Sequence, residues 1–229
     1  METILLKRKL LQVLEKTCEK LWKINNDDSE TGSRLIIPQK NDENRISEQE
    51  LRFAFIESFL EDHSLKEYKF SVETPTQKTY RFTEDRKKIK PECCDDGRKA
   101  NIDLTIYDKG EMICMIEFKA KNTDFHSHAK DFIKLKEEEG EKISLKVLRL
   151  FVEIYISTDN RTLESIYDKL YHNDYGNIGE NTDYIGVTLK HGEEKGWRFI
   201  GCKPKVGRAE IVCPGEASDY FIVNGKFIR

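Results

Sequence analysis

The chain has 229 residues, a formal net charge of -3 and a sequence pI near 6.0, with 35% charged and 38% hydrophobic residues. That is enough apolar material for one large domain or a domain with an appendage, and charge well above the usual quarter reads as a solvated surface. The balance excludes the whole-chain basic field that marks many nucleic-acid binders, and no apolar stretch approaches membrane-spanning length. The six cysteines (Cys18, Cys93, Cys94, Cys114, Cys202 and Cys213) lack the Cys-x-x-Cys spacing of a zinc site. They read as free thiols in a reducing compartment. Met1 to Leu11 mixes leucines with Lys7, Arg8 and Lys9 and lacks a signal-peptide core, so the expected location is cytoplasmic.

From Ile4 to Lys23, Leu6, Leu10, Leu14, Cys18 and Leu21 recur at helical spacing, which predicts an amphipathic helix packed on the main domain. Asn25 to Asn44 is rich in Asn, Asp, Ser and Glu and reads as a loop or linker. Ser47 and Glu50 form a capping-box pattern ahead of the apolar Leu51 to Leu60, predicting a helix that ends near His63. Tyr68 to Val72 and Thr79 to Phe82 alternate as strands, and a polar, basic insertion follows up to Lys99. Asn101 to Tyr107 and Met112 to Ala120 are strong strands joined by a turn at Asp108-Lys109-Gly110. A charged helix is predicted from about His126 to Glu139, a central doubly buried strand over Val147 to Ser157, and a helix over Arg161 to Tyr171. Short alternating runs at Tyr184 to Leu189, Trp197 to Cys202, Glu210 to Cys213 and Tyr220 to Ile228 predict a β-rich tail. The expected division is 1–45 as N-terminal helix and polar linker, 46–175 as core, and 176–229 as a β-rich extension of the same domain. The fold class is mixed α/β.

Alternation sorts the two strong strands by face. Ile102, Leu104 and Ile106 point one way and Asp103, Thr105 and Tyr107 the other. In the second strand Met112, Cys114, Ile116, Phe118 and Ala120 share a face, and Ile113, Met115, Glu117 and Lys119 share the opposite one. A hairpin then brings Asp103 toward Glu117 and Lys119, a set of charges whose burial needs a reason. Phosphodiester hydrolysis supplies one. Carboxylates and a backbone carbonyl hold a hard divalent cation, and a nearby lysine orients water or offsets developing charge. The plainer alternative is a cross-strand salt bridge between Lys119 and the two acids on a solvated sheet face.

At these residues the chain resembles the PD-(D/E)xK, or restriction-endonuclease-like, superfamily, over roughly Ser47 to Ser157. Asn101-Ile102-Asp103 stands in the place of the family's Pro-Asp, without the proline, and Glu117-Phe118-Lys119 in that of (D/E)xK. Glu67-Tyr68-Lys69, Asp85-Arg86-Lys87 and Glu193-Glu194-Lys195 also fit the triplet, but only Glu117-Phe118-Lys119 ends an apolar strand, follows an Asp-bearing strand and precedes a helix. The resemblance implies a restriction-endonuclease-like core, a mixed central sheet flanked by helices. It implies a metal-dependent nuclease, on DNA more than RNA, with Mg²⁺ or Mn²⁺ on Asp103, Glu117 and the Phe118 carbonyl and with Lys119 catalytic. Glu50 is the candidate for the family's helix glutamate, with Glu57 and Glu61 on nearly the same face and simple capping as its other reading. Lys121, Arg98, Lys99 and Lys130 are candidates for phosphate contact. Restriction, repair and defence against mobile elements all suit such an enzyme. The expected partner is nucleic acid and not a membrane, and a homodimer or larger complex is compatible. The alternative is a non-catalytic nucleic-acid- or protein-binding module that retains the fold.

Overall fold

The structure, a computed structural model, describes residues 2–25, 33–40, 43–44, 46–120, 124–138, 147–155, 182–191, 194–203 and 210–212. Helix α1 (Glu2–Asn25) is followed by a two-residue hairpin of β1 (Gln39–Lys40) and β2 (Glu43–Asn44), then by α2 (Glu48–Glu61) and a 3-10 turn at His63–Leu65. The main sheet is built from β3 (Lys69–Glu84), β4 (Lys87–Cys93), β5 (Arg98–Asp108), β6 (Glu111–Ala120), β7 (Leu148–Tyr155), β8 (Thr182–His191), β9 (Glu194–Lys203) and β10 (Glu210–Val212). Helix α3 (Phe125–Glu137) lies between β6 and β7 in the chain. The eight strands run in the order β10-β9-β8-β7-β6-β5-β3-β4, with β6, β7 and β8 parallel and the other pairings antiparallel. The architecture is α/β, a mixed sheet flanked by helices. Among the described residues no helix is long and apolar enough to cross a membrane.

Helices α1 and α2 cover one face. Leu10, Val13, Leu14 and Leu21 of α1 and Leu51, Phe55 and Phe59 of α2 share a core with Leu104, Ile106, Ile116, Phe118, Leu150, Val152 and Ile154 of the sheet. The ring of Phe55 lies 5.4 Å from that of Phe118 and 6.4 Å from that of Phe59, so it ties helix to strand. Helix α3 covers the opposite face, where Phe132 and Leu135 pack with Met115, Phe151, Tyr155 and Tyr184. β7 is the fourth strand in from one edge and is buried on both faces, which is why its sequence is nearly continuous in apolar residues.

Several expectations are corrected. Lys69 to Val72 and Thr79 to Phe82 belong to one strand, β3, which starts one residue after Tyr68 and whose register against β5 shifts between Pro75 and Thr79. The polar insertion before Lys99 is largely β4, paired with β3 across a two-residue turn. Both turn residues, Asp85 and Arg86, have positive φ (47° and 64°), the backbone of a twisted hairpin turn without its usual glycine. Met112 and Ile113 exchange faces relative to strict alternation, because the β5–β6 register slips by one residue between Ile106 and Tyr107. Met112 thus packs with the α3-side core and Ile113 with the other. Ile102 also lies on the α3 side, unlike Leu104 and Ile106. The helix expected over Arg161 to Tyr171 and the strand over Tyr220 to Ile228 fall outside the described residues.

Phe55→Ala should cost about 3–5 kcal/mol, because a ring buried between two others leaves a cavity that a helix–sheet contact cannot close. Urea unfolding followed by circular dichroism measures this.

Candidate active site

The β5–β6 ladder runs from Asp108↔Glu111 to Leu104↔Ile116 and is not continued to Asp103 and Glu117. Beyond it, the Asp103 carboxylate replaces a strand carbonyl: Phe118 N–H donates to its Oδ2 at 2.8 Å. The side chain of Asp103 is therefore drawn in between the two strands, and Glu117 and Lys119 flank the residue that holds it. On its other side β6 pairs in parallel with β7, which sets Glu117 beside Phe151 and Lys119 beside Glu153.

This face is not solvated. Helix α3 lies over it, leaving Glu117 1% and Lys119 7% exposed. The salt-bridge alternative is also not what forms, for the ion-pair partners of Lys119 are Asp131 Oδ2 at 2.7 Å and Glu48 Oε1 at 3.2 Å, neither of them Asp103 or Glu117. Glu117 Oε1 instead meets Lys134 Nζ at 2.7 Å. Asp131 joins the two halves, because its Oδ1 lies 2.9 Å from Lys134 Nζ. Lys134 also donates to the carbonyl of Asn101 at 2.9 Å. A helical step of three residues puts Asp131 and Lys134 on the one face of α3 that meets the sheet.

The α2 terminus brings the remaining charges. Glu50 is held in the capping box, where its Oε2 accepts from Ser47 N–H at 2.7 Å and also contacts the Ser47 hydroxyl. The glutamate of α2 that reaches Lys119 is Glu48, a correction to the choice among Glu50, Glu57 and Glu61. Glu57 and Glu61 face away and pair with Lys20 of α1. Arg52, one turn along from Glu48, pairs with Glu73 and lies 3.6 Å from Asp103 Oδ1.

Burial pushes the Glu117 carboxyl well above the ordinary carboxylate range, and Asp131 and Asp103 add to that push against the pull of Lys134. Burial would raise Asp131 too, but Lys134 and Lys119 together hold it below its ordinary value. Asp103 is raised by burial despite its bond from Phe118 N–H, and Glu48 is raised by burial despite Lys119. For Lys119 burial opposes the charge, yet Asp131, Glu48 and Glu117 carry its affinity for a proton above the ordinary value. Lys134 is raised likewise by Glu117 and Asp131 against its burial. Both lysines are therefore charged at neutral pH.

The oxygen donors suit a hard divalent cation. Glu117 Oε1 is buried and receives no well-angled hydrogen bond, although an ammonium touches it. The Phe118 carbonyl lies 3.4 Å from Lys119 Nζ. Two carboxylates and a carbonyl would make such a set. Among the described residues no three His, Cys, Asp or Glu side chains converge as a ready-made cage. Of the residues expected to touch phosphate, Arg98 and Lys99 are exposed at the start of β5, and Lys99 donates to the Gln77 carbonyl. Lys130 lies on α3 with its ammonium 5.3 Å from the Phe82 ring centroid, and Lys121 falls outside the described residues. His126 and His128 do not converge: His126 Nε2 donates to the Phe82 carbonyl, and His128 Nε2 meets Glu153 Oε2 at 3.0 Å. No protein-family model, curated protein or solved structure matches the chain.

Asp131→Ala should cost about 3 kcal/mol in urea unfolding, since it takes one carboxylate partner from each of two buried ammonium groups. The acid limb gives the sign. The folded Asp131 carboxyl lies below its ordinary value, so its stabilisation is complete above about pH 4 and is lost as pH falls through the folded value. Asp131→Asn should therefore lose less further stability than the natural protein between about pH 5 and about pH 2.

Proposed function

We propose that the chain is a metal-dependent nuclease with a restriction-endonuclease-like PD-(D/E)xK core, hydrolysing phosphodiester bonds in DNA in preference to RNA. The observation that carries this reading is the opening between β5 and β6. There Asp103 takes the Phe118 N–H, with Glu117 and Lys119 on either side of it. A salt-bridged sheet surface has no need to pull a carboxylate into a broken ladder or to bury two lysines beneath a helix. The order of elements, α2, then β3 to β6, then α3 and β7, supports that reading. The preference for DNA rests on that analogy, since the site chemistry suits either nucleic acid.

Asp103, Glu117 and the Phe118 carbonyl would hold Mg²⁺ or Mn²⁺, which neutralises charge on a phosphate and makes a water more acidic. The chain's own groups do the positioning. Phe118 N–H fixes one oxygen of Asp103, and the Arg52 guanidinium lies 3.6 Å from the other. Asp131 and Glu48 keep Lys119 charged and in place, so that its ammonium faces the charge that develops on the phosphate. Glu48 stands at the start of α2 as the helix carboxylate of the set, the place first given to Glu50. Arg98, Lys99 and Lys130 are offered to the nucleic-acid backbone.

A second reading has its own observation in favour. Glu117 and Asp131 are already neutralised by Lys134 and Lys119, which suits a binding module that retains the fold without catalysis. Cleavage of single- and double-stranded DNA and RNA in Mg²⁺ or Mn²⁺ separates the two. The natural protein should cut DNA, and Lys119→Ala and Asp103→Ala should each lose about 10²-fold or more while keeping a native circular dichroism spectrum. Cleavage that survives in both variants would refute the site, and no cleavage of any substrate would favour the binding module.

A further inference from the structure

Lys134 has the surroundings of a bound cation more than those of a helix side chain. Its ammonium lies 2.7 Å from Glu117 Oε1, 2.9 Å from Asp131 Oδ1 and 2.9 Å from the Asn101 carbonyl. Two of these three oxygens belong to carboxyl groups and the third is a carbonyl. They are also the donors that a hard divalent cation takes. At Glu117 Oε1 the contact is close but lacks hydrogen-bond geometry, so the lysine acts there as a point charge. A point charge is what a metal ion can replace.

We infer that Lys134 is a built-in competitor for the metal position at Glu117, holding the site together when no ion is bound and withdrawing when one binds. The inference rests on the nuclease reading, because it takes Glu117 as a metal ligand. Two cations cannot share Glu117 Oε1 in a site shielded from water, so ion entry requires the ammonium to leave. The helix itself is pinned. Near its start His126 donates to the Phe82 carbonyl, and just past its end Glu138 accepts from Gln77 N–H, Lys78 N–H and the Tyr80 hydroxyl. What can move is the four-carbon lysine stem. Asp131, three residues back on the same helix, keeps hold of the ammonium after Glu117 is released. Metal affinity is therefore lowered by the cost of displacing Lys134, and the protein without metal is stabilised by it.

The test compares Mn²⁺ binding to the full-length natural protein and to Lys134→Met, by calorimetry and by the electron-spin signal of free Mn²⁺, with thermal melting alongside. Lys134→Met should bind Mn²⁺ at least about tenfold more tightly. Its melting temperature should fall in EDTA and recover toward the natural value in Mn²⁺. If Lys134→Met does not fold in EDTA, Lys134→Gln carries the same comparison, because it keeps a hydrogen-bond donor for Glu117 without the charge. Equal or weaker Mn²⁺ binding by the variants overturns the inference and leaves the metal-site reading standing. No Mn²⁺ binding by any of the proteins overturns both.

Discussion

The candidate site depends on one constraint: a strand that must carry charge on a face that a helix must cover. Glu117 and Lys119 are two apart on β6, so alternation sends them to the same side, and α3 closes that side from water. Neither could stay charged there alone, for an isolated buried charge costs more than any nearby packing returns. The answer lies in the helix. Asp131 and Lys134 sit on its buried face and alternate in sign with the strand pair, so that each acid meets a base. The pairing is crossed: the strand lysine goes to the helix aspartate, and the strand glutamate to the helix lysine. That crossing fixes how far along β6 the helix can sit.

Such a network is weak evidence for stability as such, because well-packed apolar side chains would serve a core as well or better. Its presence where the β5–β6 ladder ends is the feature on which the proposed function rests. The neighbouring core makes the contrast. On the other face, the same strands present Leu104, Ile106, Cys114, Ile116 and Phe118 to α1 and α2 with no charge among them. One sheet thus carries an ordinary core on one side and, on the other, an apolar patch of Met115, Phe132 and Phe151 beside the charged cluster. His128 and Glu153 extend the polar group along β7, where Tyr184 also donates to Glu153.

The strands and the three founding residues were legible in the sequence because period-two alternation needs no tertiary knowledge. The same rule failed where the backbone departs from it. Ile102 turned toward α3 because the ladder stops at Leu104, and Met112 and Ile113 changed sides because a one-residue slip in register reverses every side chain beyond it. The hairpin of β3 and β4 was hidden by its turn, since Asp85-Arg86 does not announce positive φ as Asn-Gly would. Asp131 was missed, and Lys134 taken for part of a solvated helix face, for a different reason. A helix rich in Lys, Glu and Asp has the composition of a solvated helix, and burial of its charges becomes visible only when the strand charges it must meet are in place. The capping box at Ser47 was read correctly, and Glu50 is held in it, folded back onto its own helix terminus.

Residues Ser47 to Glu50 divide their work by position: Ser47 and Glu50 satisfy the first backbone groups of α2, and Glu48, between them, projects to Lys119. Arg52, one turn on, faces Asp103. The start of α2 thus delivers an acid to the site's base and a base toward one of its acids. Helix α3 does the same from the opposite face with Asp131 and Lys134. Two helices on opposite faces of the sheet therefore meet at a single opening in it. They meet where the β5–β6 ladder ends, beside the Asp103 carboxylate on Phe118 N–H, and there Lys119 is paired with Glu48 of one helix and Asp131 of the other.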